Sequence, residues 1–380
     1  MMGTLLWMLV SGCGMYPSES VATVTEFPMP EIHERGVVSS SYHIDDRYMS
    51  MRGPYGFNDV KLLDVEQPEL LWIVGYRTTV VDSDTQEALS QEFMCHANLD
   101  FEPEHYYDDF PGAAPSLSGR VFTLSQGQQD IRFPDGFGIP VSSELTLSLA
   151  TQVLNLNIDE IDLNVRHKAD ILFVRDSELN VPMRALYQGA VQGFKALDGA
   201  RYYGIKEAEA DPELHGAGCA VGAPSIEGDV DYDDHGQKFS AHWAVPPGRE
   251  VNRTNVTRFL NLQFDTTAHY IAVHLHPWSE KLTLRDLTTG EIVYEALVKP
   301  SEGRVGLDHV DHLESEEGVK FYKDHEYELI SVYDNKGEEV ADSMAVMYLY
   351  MENKRWKKPT KLEKRVEPPA EPDGDQPASM

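Results

Sequence analysis

The chain has 380 residues, more than a single ordinary domain needs, so we expect two domains that each bury a core. Its 63 acidic residues against 32 basic ones give a formal net charge of −31, and a surface this acidic repels phosphate backbones, so we expect no nucleic-acid partner. No apolar run reaches the roughly 18 residues of a membrane-spanning helix. Three cysteines are too few for a disulfide-dense scaffold or a four-thiolate zinc site.

The beginning of the chain has a pattern typical of a targeting signal. Residues 5–10 form a short apolar run that ends in Ser11, Gly12 and Cys13. This pattern resembles the bacterial lipoprotein signal, although no Lys or Arg precedes the run. The resemblance implies cleavage before Cys13, a lipid on its sulfur and a place in the cell envelope, at the outer membrane, facing the periplasm or the outside. The alternative is a leader translated in error. Residues 14–32 lack periodicity and are interpreted as a tether.

Short alternating segments separated by turns fill residues 33–352. Strands are predicted at residues 69–74, 145–149, 161–165, 281–285 and 291–294, with turns at residues 134–136, 289–290 and 335–337. We find no long amphipathic helix. The pattern favours an all-β fold of β-sandwiches, with one domain at residues 33–180 and a second at residues 181–352. The junction falls in the weakly patterned stretch from residue 179 to about 234, which includes a Gly-rich insertion.

Composition changes sharply at the end of the chain. Residues 353–380 begin with a basic block and continue with proline and acidic residues. Such a segment has little apolar surface to offset its ordering entropy, so we predict a disordered tail. Its basic block would otherwise contact anionic lipid or an acidic partner.

Two histidines and a methionine carry the clearest chemistry. His274 and His276 lie two residues apart in a segment with strand character, so their imidazoles point the same way. Met344 lies in a second strand-like segment, on one face with Val346 and Tyr348. Core filling is the commonest role of such a methionine. Two imidazoles and a thioether, however, suit copper that cycles between its oxidation states.

Residues 33–352 resemble the copper type II, ascorbate-dependent monooxygenases, which include the peptidylglycine and dopamine hydroxylases. Residues 241–249, with their Val-Pro-Pro-Gly turn, are similar to the strand that opens the family's second domain. His274 and His276 resemble its paired copper imidazoles, and Met344, in an acidic-x-Met motif, its thioether ligand. The resemblance implies two nine-stranded jelly-roll sandwiches packed side by side.

The same resemblance implies a reaction. One copper per chain at His274, His276 and Met344 would activate O2, and an activated C–H of an unidentified small substrate would be hydroxylated, with electrons from an external reductant such as ascorbate. The alternative is a copper-binding or copper-handling envelope lipoprotein without hydroxylation. A surface adhesion module without catalysis is a third reading, against which the retained ligand set argues.

The electron-storing copper site of the family's first domain is degraded. Its adjacent histidine pair falls on Cys95 and His96, and its third histidine falls on Leu154, which cannot bind a metal. Cys95 and His96 could hold copper with help from His167 or His105, but a buried thiol and a structural imidazole are the favoured interpretation. A disulfide between Cys95 and Cys219 is an open alternative.

Positions that recognise substrate in the family are altered as well. The peptide-carboxylate clamp falls on Ala272 and Val346, so peptide amidation is not expected, whereas Tyr348 is retained. Gln152 is also retained, and both are candidates for the electron path or the substrate side. His309 and His312 are candidates for an auxiliary ligand near the copper or, alternatively, for a solvated loop.

Overall fold

A computed structural model describes residues 30–50, 52–111, 119–197, 201–205 and 230–365 of the chain. Cys13, Cys219, the Gly-rich insertion and the last fifteen residues of the tail lie outside these ranges. The lipidation site and a Cys95–Cys219 disulfide are therefore not described. No helix among the described residues is long and apolar enough to cross a membrane.

The protein is all-β, and its first β-sandwich consists of two facing sheets. One sheet has the order β1-β10-β4-β8, with β2 and β7 at its margins, and the other has the order β3-β9-β5-β6. These strands are β1 (His33–Val38), β2 (Tyr42–Ile44), β3 (Tyr55–Val60), β4 (Leu70–Asp82), β5 (Met94–Phe101), β6 (Arg120–Leu124), β7 (Asp130–Arg132), β8 (Phe137–Ser142), β9 (Leu147–Val153) and β10 (Leu163–Arg175). A 3₁₀ turn, Gln91–Phe93, precedes β5, and the short helix α1 (Pro103–Asp109) follows it.

The second β-sandwich pairs the sheet β11-β24-β17-β21 with the sheet β16-β22-β18-β19-β20. Its described strands are β11 (Arg184–Gln192), β12 (Lys195–Ala196), β13 (Val230–Tyr232), β14 (Lys238–Ser240), β15 (Trp243–Val245), β16 (Gly248–Asn255), β17 (Thr266–Leu275), β18 (Ser279–Asp286), β19 (Ile292–Pro300), β20 (Leu307–Val310), β21 (Leu313–Phe321), β22 (Tyr327–Asn335), β23 (Ala341–Ser343) and β24 (Ala345–Glu352). The helix α2 (Thr257–Leu260) follows β16, and a 3₁₀ turn, Asp176–Glu178, lies between the sandwiches.

The two sandwiches share a sheet. Strand β8 pairs in parallel with β11, which places Arg184 beside Phe137 and joins one sheet of each sandwich into a ten-stranded sheet. Strands β17 and β24 are buried at nearly every position because both of their faces are covered. Along β24, Val346 and Tyr348 belong to the core that also fills the first sandwich, whereas Ala345 and Met347 belong to the core of the second.

The basic segment that follows β24 differs from the sequence-based expectation of disorder. Its described part, residues 353–365, contacts the first sandwich: the ring of Trp356 lies 5.0 Å from that of Trp72, and Arg365 pairs with Asp109 at 2.8 Å. Trp356 packs against a hydrophobic core. The segment therefore has a stabilising apolar contact although most of its residues are charged or polar.

A buried ion pair holds the start of the second sandwich together. Lys195 on β12 lies 2.7 Å from Glu250 on β16, and both side chains are almost fully buried. Trp243 and Asn252 also donate hydrogen bonds to this carboxylate.

We expect Lys195→Met to lower the free energy of unfolding by about 3–5 kcal/mol, because the Glu250 carboxylate would stay buried without its counter-charge. Urea unfolding measures this. The half-exposed pair of Lys281 and Glu295 provides the control, since Lys281→Met should cost at most about 1 kcal/mol. Equal losses in the two variants would contradict the prediction.

Candidate metal centre

Of the three predicted copper ligands, His274 and His276 lie at the end of strand β17, and Met344 lies just before β24, the strand that pairs with β17. In the antiparallel pairing of β17 with β24, His274 is opposite Val346 and Leu275 is opposite Ala345. His276 follows the last residue of β17, and Met344 lies in the gap between β23 and β24, so each is one residue beyond this pairing. Met344 packs against the same hydrophobic core as Val346. Alternate residues of the segment 344–350 thus pack against different cores, as the sequence pattern predicts.

Both imidazoles have one nitrogen turned toward a protein partner. The rings of His274 and His276 are buried, with centroids 5.2 Å apart and planes nearly perpendicular. The Nδ1 atom of His274 lies 2.9 Å from the Ser125 hydroxyl, and the Nδ1 atom of His276 lies 3.4 Å from Oδ2 of Asp342. Metal-binding histidines are typically oriented in this way, through the nitrogen that does not bind the metal. The Nε2 atoms are thus the ones left for a ligand.

Burial favours the neutral form of His274 and of the nearby His96. Burial lowers the pKa of His274 well below its usual value, and the nearby His276, His96 and His242 rings lower it further. Burial likewise lowers the pKa of His96 to about 3, with Arg120 and the neighbouring histidines adding to the effect. A neutral imidazole has a free lone pair, so a metal would not need to displace a proton.

Asp342 is the acidic member of the cluster. Burial by itself would raise the pKa of this carboxyl, but the adjacent His276 ring, the nearby His242 ring and the Ser50 hydroxyl outweigh it, and the pKa is lowered. The group is therefore a carboxylate at neutral pH. Its Oδ2 atom is buried and lies 3.4 Å from Nδ1 of His276. A carboxylate here fixes the orientation of His276 and raises its basicity toward a metal.

Sequence reasoning missed two residues of this cluster, His242 and Ser125. The ring of His242 lies 6.1 Å from that of His276. His242 stands in the segment that matched the family's second-domain opening, and a tally of all histidines there would have found it. Ser125 belongs to the first sandwich and is 149 residues from His274, so no local pattern relates the two.

Cys95 and Leu154, the residues at the expected positions of a first-domain copper site, lie beside His274 and His276. Cys95 and Leu154 are buried and line, with His274 and His276, a cavity of only about 10 Å³. His96 on β5 is partly buried and faces Gln152 across the β5–β9 pair. The Gln152 amide donates to the carbonyl of Gly53, so it serves a loop contact in this structure.

The two histidines suggested as additional copper ligands beside Cys95 and His96 lie in different elements, His167 on β10 and His105 on α1. His167 is fully buried with neither ring nitrogen hydrogen-bonded, and burial lowers its pKa to about 4. His105 lies on α1, where its carbonyl accepts a hydrogen bond from Arg365.

Residues at the family's substrate positions are covered. Ala272, Val346 and Tyr348 are all buried in the core that the second sandwich shares with the first. Burial, above all other effects, raises the pKa of Tyr348. This face therefore offers no open clamp for a substrate.

His309 and His312 form a pair of their own. Their ring centroids are 6.4 Å apart, His312 stacks on Tyr270, and His309 lies 3.4 Å from Asp311. The His309 side chain is half exposed.

Within the described ranges, no three His, Cys, Asp or Glu side chains are grouped so that they could hold a metal ion by themselves. A metal bound by His274 and His276 therefore needs a donor of another kind. Met344, which packs against the core that contains Val346, is the thioether donor that the sequence suggests. Two imidazoles and a thioether fit copper better than zinc, calcium or magnesium.

Comparison with known proteins shows structural likeness only. No protein-family model and no curated protein matches the sequence. Among solved structures, the glycosylasparaginase PNGase F of Flavobacterium meningosepticum is 8% identical, with a TM-score of 0.33 over 86% of this chain and 98% of that one. The extracellular domain of ANXUR2 from Arabidopsis thaliana is 8% identical, with a TM-score of 0.18 over 83% of this chain and 89% of that one. Likeness at this level carries no inference about activity.

Proposed function

We propose that this chain is a copper-binding protein of the cell envelope that holds one copper ion with His274, His276 and Met344. The observation that carries the proposal is the pair of buried imidazoles, each turned by its Nδ1 toward a protein partner and each with Nε2 left for a ligand. The resemblance of residues 33–352 to the copper type II monooxygenases supports it from the sequence. We also propose that a lipid on Cys13 anchors the protein to the membrane.

Copper handling without hydroxylation is the function that the geometry favours. Leu154 and Cys95 replace the ligands of an electron-storing site, and the face with Ala272, Val346 and Tyr348 is buried. The residues around the pair orient it, through Ser125 and Asp342, and exclude water from it.

Hydroxylation is the second candidate, and one specific observation favours it. A cavity of about 410 Å³, large enough for a small substrate, has Asp342 in its wall, next to His276. Bound copper would supply one-electron redox chemistry and activation of O2, with ascorbate or another external reductant as the electron source.

Metal analysis of the purified full chain tests copper binding. We expect about one copper per chain at saturation, because only one set of ligands is complete. Two tightly held copper ions per chain would contradict the interpretation of Leu154. A chain that binds no copper would contradict the proposed copper site.

Asp342→Asn should weaken copper binding by about 10- to 100-fold, because an amide orients His276 without the carboxylate's charge. Competition with a chromophoric chelator measures the affinity. Asp308→Asn on β20 is the matched control, since its carboxylate pairs with Lys299 at the surface. An unchanged affinity in Asp342→Asn would exclude Asp342 as a partner of His276 in the metal site.

Oxygen uptake separates the two candidate functions. If the chain hydroxylates a substrate, ascorbate-dependent O2 uptake by the copper-loaded protein should exceed that of free copper and should be lost in Met344→Ile. Uptake no greater than that of free copper supports copper handling. Uptake that Met344→Ile leaves unchanged would remove Met344 from the mechanism.

A further inference from the structure

A cavity of about 140 Å³ lies on the first sandwich and on the segment that leads into β11. All of its lining residues fall between residues 30 and 183, and they include Ile32, Phe133, Phe137, Val174, Val181 and Met183. No residue of the candidate metal centre lines this cavity, and neither does Asp342. The cavity is therefore separate from the metal centre and from the candidate substrate cavity beside it.

Backbone hydrogen bonds fix one wall of the cavity. This wall includes the turn between β7 and β8, where the amide of Phe137 donates to the carbonyl of Pro134 at 3.2 Å. Gly136 has a φ of 80°, which glycine adopts without strain, and its carbonyl accepts a hydrogen bond from the amide of Arg184 at 2.8 Å. A wall held in place before a ligand arrives lowers the cost of binding.

The lining is mostly apolar, and part of it is open to solvent. Phe133, Phe137 and Val174 are buried, whereas Ile32 and Val181 are 46% and 56% exposed. In another protein, an apolar cavity of roughly 150 Å³ binds benzene. The size and the lining therefore suit a ligand whose body is about one aromatic ring.

Arg132 on β7 gives the cavity its charge. It is the one basic residue of the lining, and its side chain is partly buried. Asp135, the acidic residue of the lining, is exposed and forms no ion pair with Arg132, and no other carboxylate in the described ranges pairs with this guanidinium. A guanidinium binds a carboxylate through two parallel hydrogen bonds, so an anionic ligand would supply the missing partner.

We infer that this cavity binds a small aromatic carboxylate, with the ring against the apolar wall and the carboxylate on the guanidinium of Arg132. The charge of arginine does not change in the physiological pH range, so the site keeps its preference for an anion. The inference does not depend on copper, because none of the proposed copper ligands lines the cavity.

Titration calorimetry of the full chain tests this with benzoate as the probe, and a chelator removes copper that could itself bind an anion. We expect saturable binding of benzoate with a Kd in the millimolar range or lower. Benzyl alcohol has the ring without the charge and acetate has the charge without the ring, so each should bind at least about tenfold more weakly. Equal binding of benzyl alcohol would overturn the role of Arg132, and equal binding of acetate would overturn the role of the apolar wall. No saturable binding of benzoate up to about 10 mM would overturn the site.

Variants locate the probe on the protein. Arg132→Gln should weaken benzoate binding about tenfold or more and leave the weak binding of benzyl alcohol unchanged, because only the charge is removed. Arg249→Gln makes the same change of charge at a half-exposed arginine on β16, outside the cavity, and should have no effect. Unchanged benzoate binding in Arg132→Gln would place the probe elsewhere.

A second variant tests the apolar wall independently of Arg132. Val181→Ala removes part of the wall at an exposed residue, so the fold should tolerate it, and we expect benzoate binding to weaken about threefold. Leu297→Ala, at a residue that is 53% exposed and outside the cavity, should leave binding unchanged. Equal effects of the two variants would contradict the assignment of the wall. Copper stoichiometry, measured separately in Arg132→Gln without chelator, should equal the wild-type value, which keeps this test distinct from that of the metal site.

Discussion

Replacing His274 with alanine is expected to abolish tight copper binding. The variant removes one of the two imidazoles of the proposed ligand set and also ends the contact with Ser125. Loss of an outer partner of a ligand costs roughly 10- to 100-fold in affinity, so loss of the ligand itself should cost well over 100-fold. Copper retained after desalting, with competition against a chelator, gives the measurement.

Two controls accompany the His274→Ala experiment. His309→Ala removes a half-exposed histidine of the separate His309–His312 pair and should leave copper binding unchanged. The wild-type chain should bind copper without any Leu154→His replacement, because Leu154 is not part of the ligand set. If His274→Ala kept its copper and His309→Ala lost it, the metal site would be at His309 and His312.

Much of the fold follows from local sequence patterns. The alternation along residues 344–350 predicts which residues share a face, and the two cores divide β24 in that way. Turn residues such as Gly136 and Gly290 were placed by their chemistry, and both have a φ of about +80° in the structure. Strand existence was predictable from periodicity, although β4 and β10 extend well beyond the predicted segments because neighbouring strands complete their pairing.

The surroundings of the candidate site could not be predicted in this way. Ser125, which turns His274, comes from the other sandwich, and contacts between sandwiches leave no periodic signal. The burial of Tyr348 has the same origin, since Tyr348 belongs to the core that also fills the first sandwich. The cavity beside Asp342 is likewise lined by loops that are far apart in sequence, so no local pattern predicts it.

Acidification below about pH 6.5 is expected to destabilise the protein through His167. Burial lowers the pKa of this ring to about 4 in the folded chain, whereas an unfolded histidine titrates near 6.5. Between these values the unfolded chain binds a proton that the folded chain does not. The stability due to neutral His167 is therefore complete above about pH 6.5 and is lost as the pH falls toward 4, by roughly 3 kcal/mol in total.

His167→Phe isolates this contribution. Neither ring nitrogen of His167 has a hydrogen-bond partner, so phenylalanine fills a similar volume beside Tyr42 and removes two buried polar atoms without orphaning a partner. The drop in the free energy of unfolding between pH 7 and pH 4.5, measured in urea with a chelator present, should be smaller in the variant by roughly 2–3 kcal/mol. The chelator matters because release of any bound copper on acidification would add its own pH dependence. An unchanged drop would mean that His167 becomes protonated in the folded state at little cost, and the acid sensitivity of the fold would then have to come from other groups.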